Sequence, residues 1–195
     1  MPGLFIVLDG PDASGTSTHT ELLAERLKSM GKDVLLTSEP TDGPIGKKIR
    51  GYLRSGNIDP LNLQILFTQD REWHVTNVIQ PALDAGKIVV CDRYWYSTII
   101  YAEAQGLYAP ELKEVNSKFI QPSLIFFTLP PIAVSLERMT SRATKEVFEK
   151  ENIQRTIHDG YEQMAHADSS IYVIDTSGGK EDVSAQILDI VSKKL

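Results

Sequence analysis

Five short runs in this chain carry apolar residues at nearly every position: Leu4 to Leu8, Val34 to Thr37, Ile88 to Cys91, Leu124 to Leu129 and Ile171 to Ile174. A strand with one wet face alternates apolar and polar residues, so short unbroken runs point to strands covered on both faces, as in a parallel sheet. Roughly 25 to 50 residues separate successive runs, enough for the helical crossovers that parallel pairing requires. The pattern predicts a doubly wound α/β fold: a five-stranded parallel sheet with helices on both faces, in a single domain over residues 1–195. With 42% hydrophobic residues, a chain of this length can bury one such core. Folds of this kind bind ligands beyond the carboxyl ends of the strands, so the loops after the first and third runs are expected to meet there.

The chain has 20 basic and 26 acidic residues, a formal charge of −6. No overall field attracts a nucleic-acid backbone or an anionic membrane, and neither is expected as a partner. An anionic substrate must be held by a local arrangement of donors. Cys91 is the only cysteine, so no disulfide closes within the chain, in keeping with a reducing cytosol. The first residues lack a cationic leader, and no apolar run approaches the roughly 18 residues that cross a bilayer. The expected location is cytoplasmic, with the chain unprocessed.

The first run leads into Asp9-Gly10-Pro11-Asp12-Ala13-Ser14-Gly15-Thr16-Ser17-Thr18, followed by the helix-like series Leu22, Leu23, Arg26, Leu27 and Met30. Gly10, four residues, Gly15 and then Thr16-Ser17 fit the frame of a P-loop, with Thr16 where lysine is expected. In such a loop backbone N–H groups surround phosphate oxygens, and the following helix adds the positive end of its dipole. Ser17 is then placed to ligate Mg²⁺. A tight turn capped by Ser14 or Thr16 uses the same residue types, and the loop alone leaves both readings open.

Asp92-Arg93-Tyr94 follows the third run, with Ser97 and Tyr101 beyond it. An adjacent acid and base are also what an exposed ion pair looks like. At the end of a neighbouring parallel strand, however, a carboxylate can hold Mg²⁺ next to a phosphate loop. This series resembles that of the thymidylate kinases, and the resemblance covers nearly the whole chain in order. Asp12 sits inside the loop, Glu39-Pro40 ends the second run, and Pro44-Ile45-Gly46 with Ile49-Arg50 opens a helix. Leu66-Phe67-Thr68-Gln69-Asp70-Arg71 is similar to the family's thymine-contacting helix, and Pro81 to Gly86 leads into the third run. Pro130-Pro131, Leu136-Glu137-Arg138 and Phe148-Glu149 flank the family's lid.

The resemblance implies a P-loop NTPase-like kinase with a small helical lid at about 138–150. It would transfer the γ-phosphoryl group of ATP to dTMP, giving dTDP and ADP for dTTP synthesis, with Mg²⁺ as cofactor and a homodimer as the assembly. The implied ATP site is Asp12, Ala13, Ser14, Gly15, Thr16, Ser17 and Thr18, with Mg²⁺ on Ser17 and Asp92. Phe67 would stack on the base, Arg71 would donate to the pyrimidine O4 and Ser97 would meet the base edge near N3. Asp12 would accept from the deoxyribose 3′-hydroxyl and Arg93 would clamp the acceptor phosphate. Glu39 and Tyr101 complete the implied acceptor site.

Thr16, Ser38, Ala102 and Thr128 depart from the family pattern, which often has lysine, arginine, glutamine and aspartate there. Ala13 also lacks an arginine that some members carry. The charge missing at Thr16 is expected from the lid, first from Arg142, then from Arg138 and Lys145. Several readings stay open on residues alone. Phe67 also suits a core, Arg71 a surface pair with Asp70 or Glu72, and residues 137–155 a solvated helix face. Trp73, Val75 and Val78 suit either a dimer interface or a core stripe. A GTPase is disfavoured because no Asn-Lys-x-Asp signature is present. The alternatives kept are a weakly active nucleotide sensor and a kinase for another deoxynucleoside monophosphate.

Overall fold

A computed structural model describes residues 3–108, 110–140 and 151–195. Strands β1 (Leu4–Asp9), β2 (Val34–Ser38), β3 (Ile88–Asp92), β4 (Leu124–Thr128) and β5 (Ile171–Ile174) coincide with the five apolar runs. They form one parallel sheet in the order β2-β3-β1-β4-β5. Helix α1 (Thr16–Ser29) joins β1 to β2. Helices α2 (Pro44–Ser55), α3 (Pro60–His74) and α4 (Gln80–Asp84) lie between β2 and β3. Helices α5 (Trp95–Ala104) and α6 (Pro110–Asn116) precede β4, α7 (Ile132–Thr140) and α8 (Glu151–Ala167) precede β5, and α9 (Lys180–Ser192) follows it.

Because side chains alternate along a strand, each central strand feeds two cores. Phe5, Val7, Val89, Cys91, Ile125 and Phe127 pack with Tyr94, Ile99, Ile157 and Tyr161 on one face. Ile6, Leu8, Ile88, Val90, Leu124 and Phe126 pack with Leu23, Leu27, Val183 and Ile187 on the other. This two-sided burial is the reason the runs show no polar alternation.

Two local features shape the approach to the cleft. A Cβ at Gly46 would lie 1.9 Å from the Thr41 carbonyl oxygen, so only glycine lets α2 begin there. Helix α3 does not run on unbroken through the stripe Trp73, Val75 and Val78. It passes into a π-helical turn, Val75–Ile79, in which Gln80 N–H donates to Val75 O. Pro81 has no N–H to give the Asn77 carbonyl, which accounts for the widened turn. Trp73 is exposed, Val75 packs partly against the core, and Val78 lines a second cavity of about 610 Å³. Among the described residues no helix is long and apolar enough to cross a membrane.

Candidate active site

The strand order sets the Gly10–Gly15 loop beside the end of β3, since β1 pairs with both β3 and β4. Gly15 is the N-cap of α1 at φ 91°, without a side-chain cap, and the first turn holds no acidic residue. A turn capped by Ser14 or Thr16 is therefore not what forms. The N–H groups opening this helix of 14 residues have no side-chain cap, an arrangement suited to an anion. Ser14 and Thr16 bond instead to Thr128, at the end of β4. Gly10 is required by this packing, because a Cβ there would stand 2.4 Å from Thr128 Oγ1 and 2.6 Å from Ser14 Oγ.

Asp92 ends β3 and is largely buried. Its Oδ1 has no hydrogen-bond partner among the described residues, and Ser17 lines the same second cavity beside it. Burial pushes the Asp92 carboxyl above the usual carboxylate range, opposed by the Arg93 charge and the Ser17 hydroxyl. An orphaned buried carboxylate oxygen beside a serine hydroxyl is a hard-oxygen donor set, and it fits Mg²⁺.

Arg93 does not form an ion pair with its neighbour Asp92. It adopts φ 67°, unusual for a side chain of this size, with its N–H donating to Leu8 O at 2.8 Å. The guanidinium donates to Asp12 Oδ1 and to Gly10 O, both at 2.7 Å, and to Ser97 Oγ at 3.1 Å. Tyr101 packs its ring 5.5 Å from the same group. Beneath them lies Asp9, fully buried, accepting from the Tyr94 and Ser97 N–H groups and from the Ser97 and Tyr161 hydroxyls. Gln154 on α8 donates to Asp12 Oδ2 at 2.9 Å. Sequence reasoning missed Asp9, Tyr161 and Gln154; an acid directly before Gly10 was the one signal available.

A cavity of about 300 Å³ is lined by Asp12, Arg93, Ser97 and Tyr101, by Glu39, Arg71 and Thr98, and by Phe67. Arg71 is not a surface partner of Asp70 or Glu72. It is 0% exposed and donates from Nε (2.9 Å) and Nη2 (2.6 Å) to Glu39 Oε2. It also donates to Asn116 Oδ1, and at 3.1 Å to Thr98 Oγ1. His74 holds the other Glu39 oxygen. Phe67 is half-buried, packing on the core and facing the cavity at once. Ser97 accepts from Arg93, whereas its neighbour Thr98, unremarked in the sequence, accepts from Arg71. Arg138 donates to the carbonyl of Thr176, whose hydroxyl bonds the loop at Ser14 O, and burial, Arg138 and Lys180 together lower the His19 pKa. Arg142, Lys145 and most of the expected lid lie outside the described residues.

The family model for thymidylate kinase matches residues 8–187. The chain belongs to the thymidylate kinase family. A probable thymidylate kinase of Pyrococcus horikoshii is 38% identical over 100% of this chain and 98% of its own length. One from Thermococcus kodakarensis is 36% identical over 98% of both chains. The thymidylate kinase of Desulfotalea psychrophila is 41% identical over 76% of this chain and 75% of its own. As a thymidylate kinase relative the chain is a nucleoside monophosphate kinase, and the cavity lined in part by Asp92 is its candidate active site.

Proposed function

We propose that the protein transfers the γ-phosphoryl group of ATP to dTMP, releasing dTDP and ADP. The observation that carries this reading is the cavity itself, lined by an aromatic and a guanidinium, Phe67 and Arg71, and by a second guanidinium, Arg93, that is bonded to the Gly10–Gly15 loop. Phe67 stacks on the base and Arg71, with Thr98 next to it, faces the base edge. Arg93 holds the acceptor phosphate, and Asp12 together with Tyr101 sits against the sugar. Backbone N–H groups from Asp12 to Thr18 hold the ATP phosphates.

An acceptor phosphate oxygen, already ionised, attacks the γ-phosphorus as the bond to the β–γ bridging oxygen breaks, so no side chain need serve as nucleophile or base. Alignment and positive charge do the rest. Ser17 and Asp92 would hold Mg²⁺, which supplies neutralisation of the phosphate charge when bound. Arg93 supplies charge beside the loop, and so does Arg138. In the same reading the chain is one cytoplasmic domain that pairs as a homodimer, with a lid at about 138–150. Arg142→Ala is expected to lower turnover by about 10- to 1000-fold with little change in stability, the scale of losing one transition-state charge contact.

ADP release measured with ATP and a panel of deoxynucleoside monophosphates tests the reading. The highest kcat/KM is expected for dTMP. Saturable binding of both nucleotides without turnover would instead make the chain a nucleotide sensor. Phe67→Ala is expected to raise KM for dTMP about 5- to 100-fold, the scale of one base-stacking contact, with KM for ATP unmoved. Equal changes in both KM values would remove Phe67 from the acceptor site.

A further inference from the structure

Ser14, Thr16 and Thr128 close a triangle of hydroxyls, with Oγ to Oγ separations of 2.9, 2.9 and 2.8 Å. They are 1%, 5% and 0% exposed, and none of them lines either cavity. The triangle ties the Gly10–Gly15 loop to the ends of three strands. Thr128 belongs to β4 and its hydroxyl reaches the Asp9 carbonyl of β1 at 3.3 Å. Thr176, just past β5, donates to the Ser14 carbonyl at 2.5 Å. The loop it ties is one that a free chain would not hold, with Ala13 at φ 60° and Gly15 at φ 91°.

We propose that this triangle is a positioning device for the phosphoryl donor. It keeps the loop curved with its N–H groups aimed before ATP arrives, and it withdraws the side chain of residue 16 from phosphate contact. The proposal rests on the reading of the loop as the ATP phosphate site. Position 16 carries no charge here, so the loop offers the phosphates no cation and holds them with backbone dipoles. Dipoles hold an anion well only when they are already oriented, because loop ordering would otherwise be charged against binding. Loosening the triangle therefore acts first on ATP, whose phosphates meet the loop directly, and less on dTMP, of whose proposed contacts Asp12 alone belongs to the loop.

Thr128→Val and Thr16→Val each remove one hydroxyl while keeping the branched shape; the serine variants keep the hydroxyl. Dissociation constants for ATP and for dTMP, melting temperature and turnover are measured on all of them. Each valine variant is expected to raise the ATP Kd about 3- to 10-fold, the scale of one net hydrogen bond, and to leave the dTMP Kd within about twofold. Serine at either position should restore the wild-type ATP Kd, and the double valine variant should lose less than the product of the singles, since both hydroxyls share one triangle. Thr16→Lys should bind ATP more weakly and turn over more slowly than wild type, because it removes one hydroxyl and sets an ammonium against the two neutral ones that remain, Ser14 and Thr128.

An unchanged ATP Kd in Thr128→Val overturns the proposal. So do ATP and dTMP Kd values that rise together in step with a falling melting temperature. Turnover by Thr16→Lys faster than wild type does the same, since residue 16 would then reach the phosphates itself. Should the valine variants fail to fold, Thr16→Lys decides alone by that criterion. Wild-type protein that binds ATP without turnover removes the kinase reading only, while wild-type protein that binds no ATP overturns both.

Discussion

Asp92→Asn is expected to lower turnover by about 100- to 1000-fold and, in the absence of Mg²⁺, to raise the melting temperature at neutral pH. The first effect follows from the proposed role of Asp92 as a charged metal ligand where phosphate charge is neutralised. The second follows from burial. Asp92 is held above the usual carboxylate range, first by desolvation, and its Oδ1 has no hydrogen-bond partner among the described residues. The unfolded chain therefore gives up that proton more readily than the folded one. The resulting destabilisation is absent below the ordinary carboxylate range, grows as pH rises through it, and is complete above the folded-state value. Asparagine never incurs it, so the difference in melting temperature between variant and wild type should close on acidification. Added Mg²⁺ should reverse the order at neutral pH by stabilising only the wild type. Turnover within about twofold of wild type, too small a loss for a metal ligand, would show that Asp92 does not hold the cation.

Arg71→Ala is expected to cost about 3–5 kcal/mol of stability, the scale of stranding one partner of a buried ion pair, in addition to weakening dTMP binding. In a chain of this size that is roughly 6–20 °C in melting temperature. Arg71 and Glu39 are almost wholly buried and joined by two hydrogen bonds. Removing the guanidinium leaves the Glu39 carboxylate with His74 as its remaining side-chain partner among the described residues. Loss of dTMP binding in the single variant thus mixes two causes. Arg71→Met combined with Glu39→Gln separates them, since it removes both charges and is expected to recover most of the stability. If Arg71 faces the base edge, this double variant still shows a KM for dTMP raised about 10- to 100-fold, the scale of a charge-assisted hydrogen bond. A stable double variant with an unchanged KM would leave Arg71 a purely structural role.

Sequence by itself located the five strands, because burial on both faces of a parallel sheet removes the polar alternation that would otherwise break each run. It also placed the Gly10–Gly15 loop between β1 and α1, since glycine spacing and helix onset are local properties of the chain. The ordered series from Asp12 through Asp92-Arg93-Tyr94 to Arg138 was legible for the same reason, each part being a short segment with its own pattern. Partnerships were not legible. On residues alone Arg71 also suited a surface pair, because Asp70 and Glu72 flank it, yet its carboxylate comes from Glu39, 32 residues away. Asp9 stood only as the residue that follows the first run, and only the order β2-β3-β1-β4-β5 shows that it anchors Ser97 and Tyr161 beneath Arg93. Thr16 read as a missing charge, and only the approach of β4 shows its hydroxyl joined to Thr128, 112 residues on. Periodicity reports which face of an element is apolar, whereas hydrogen-bond partners across a sheet depend on which strands become neighbours, and that is decided when the crossovers pack.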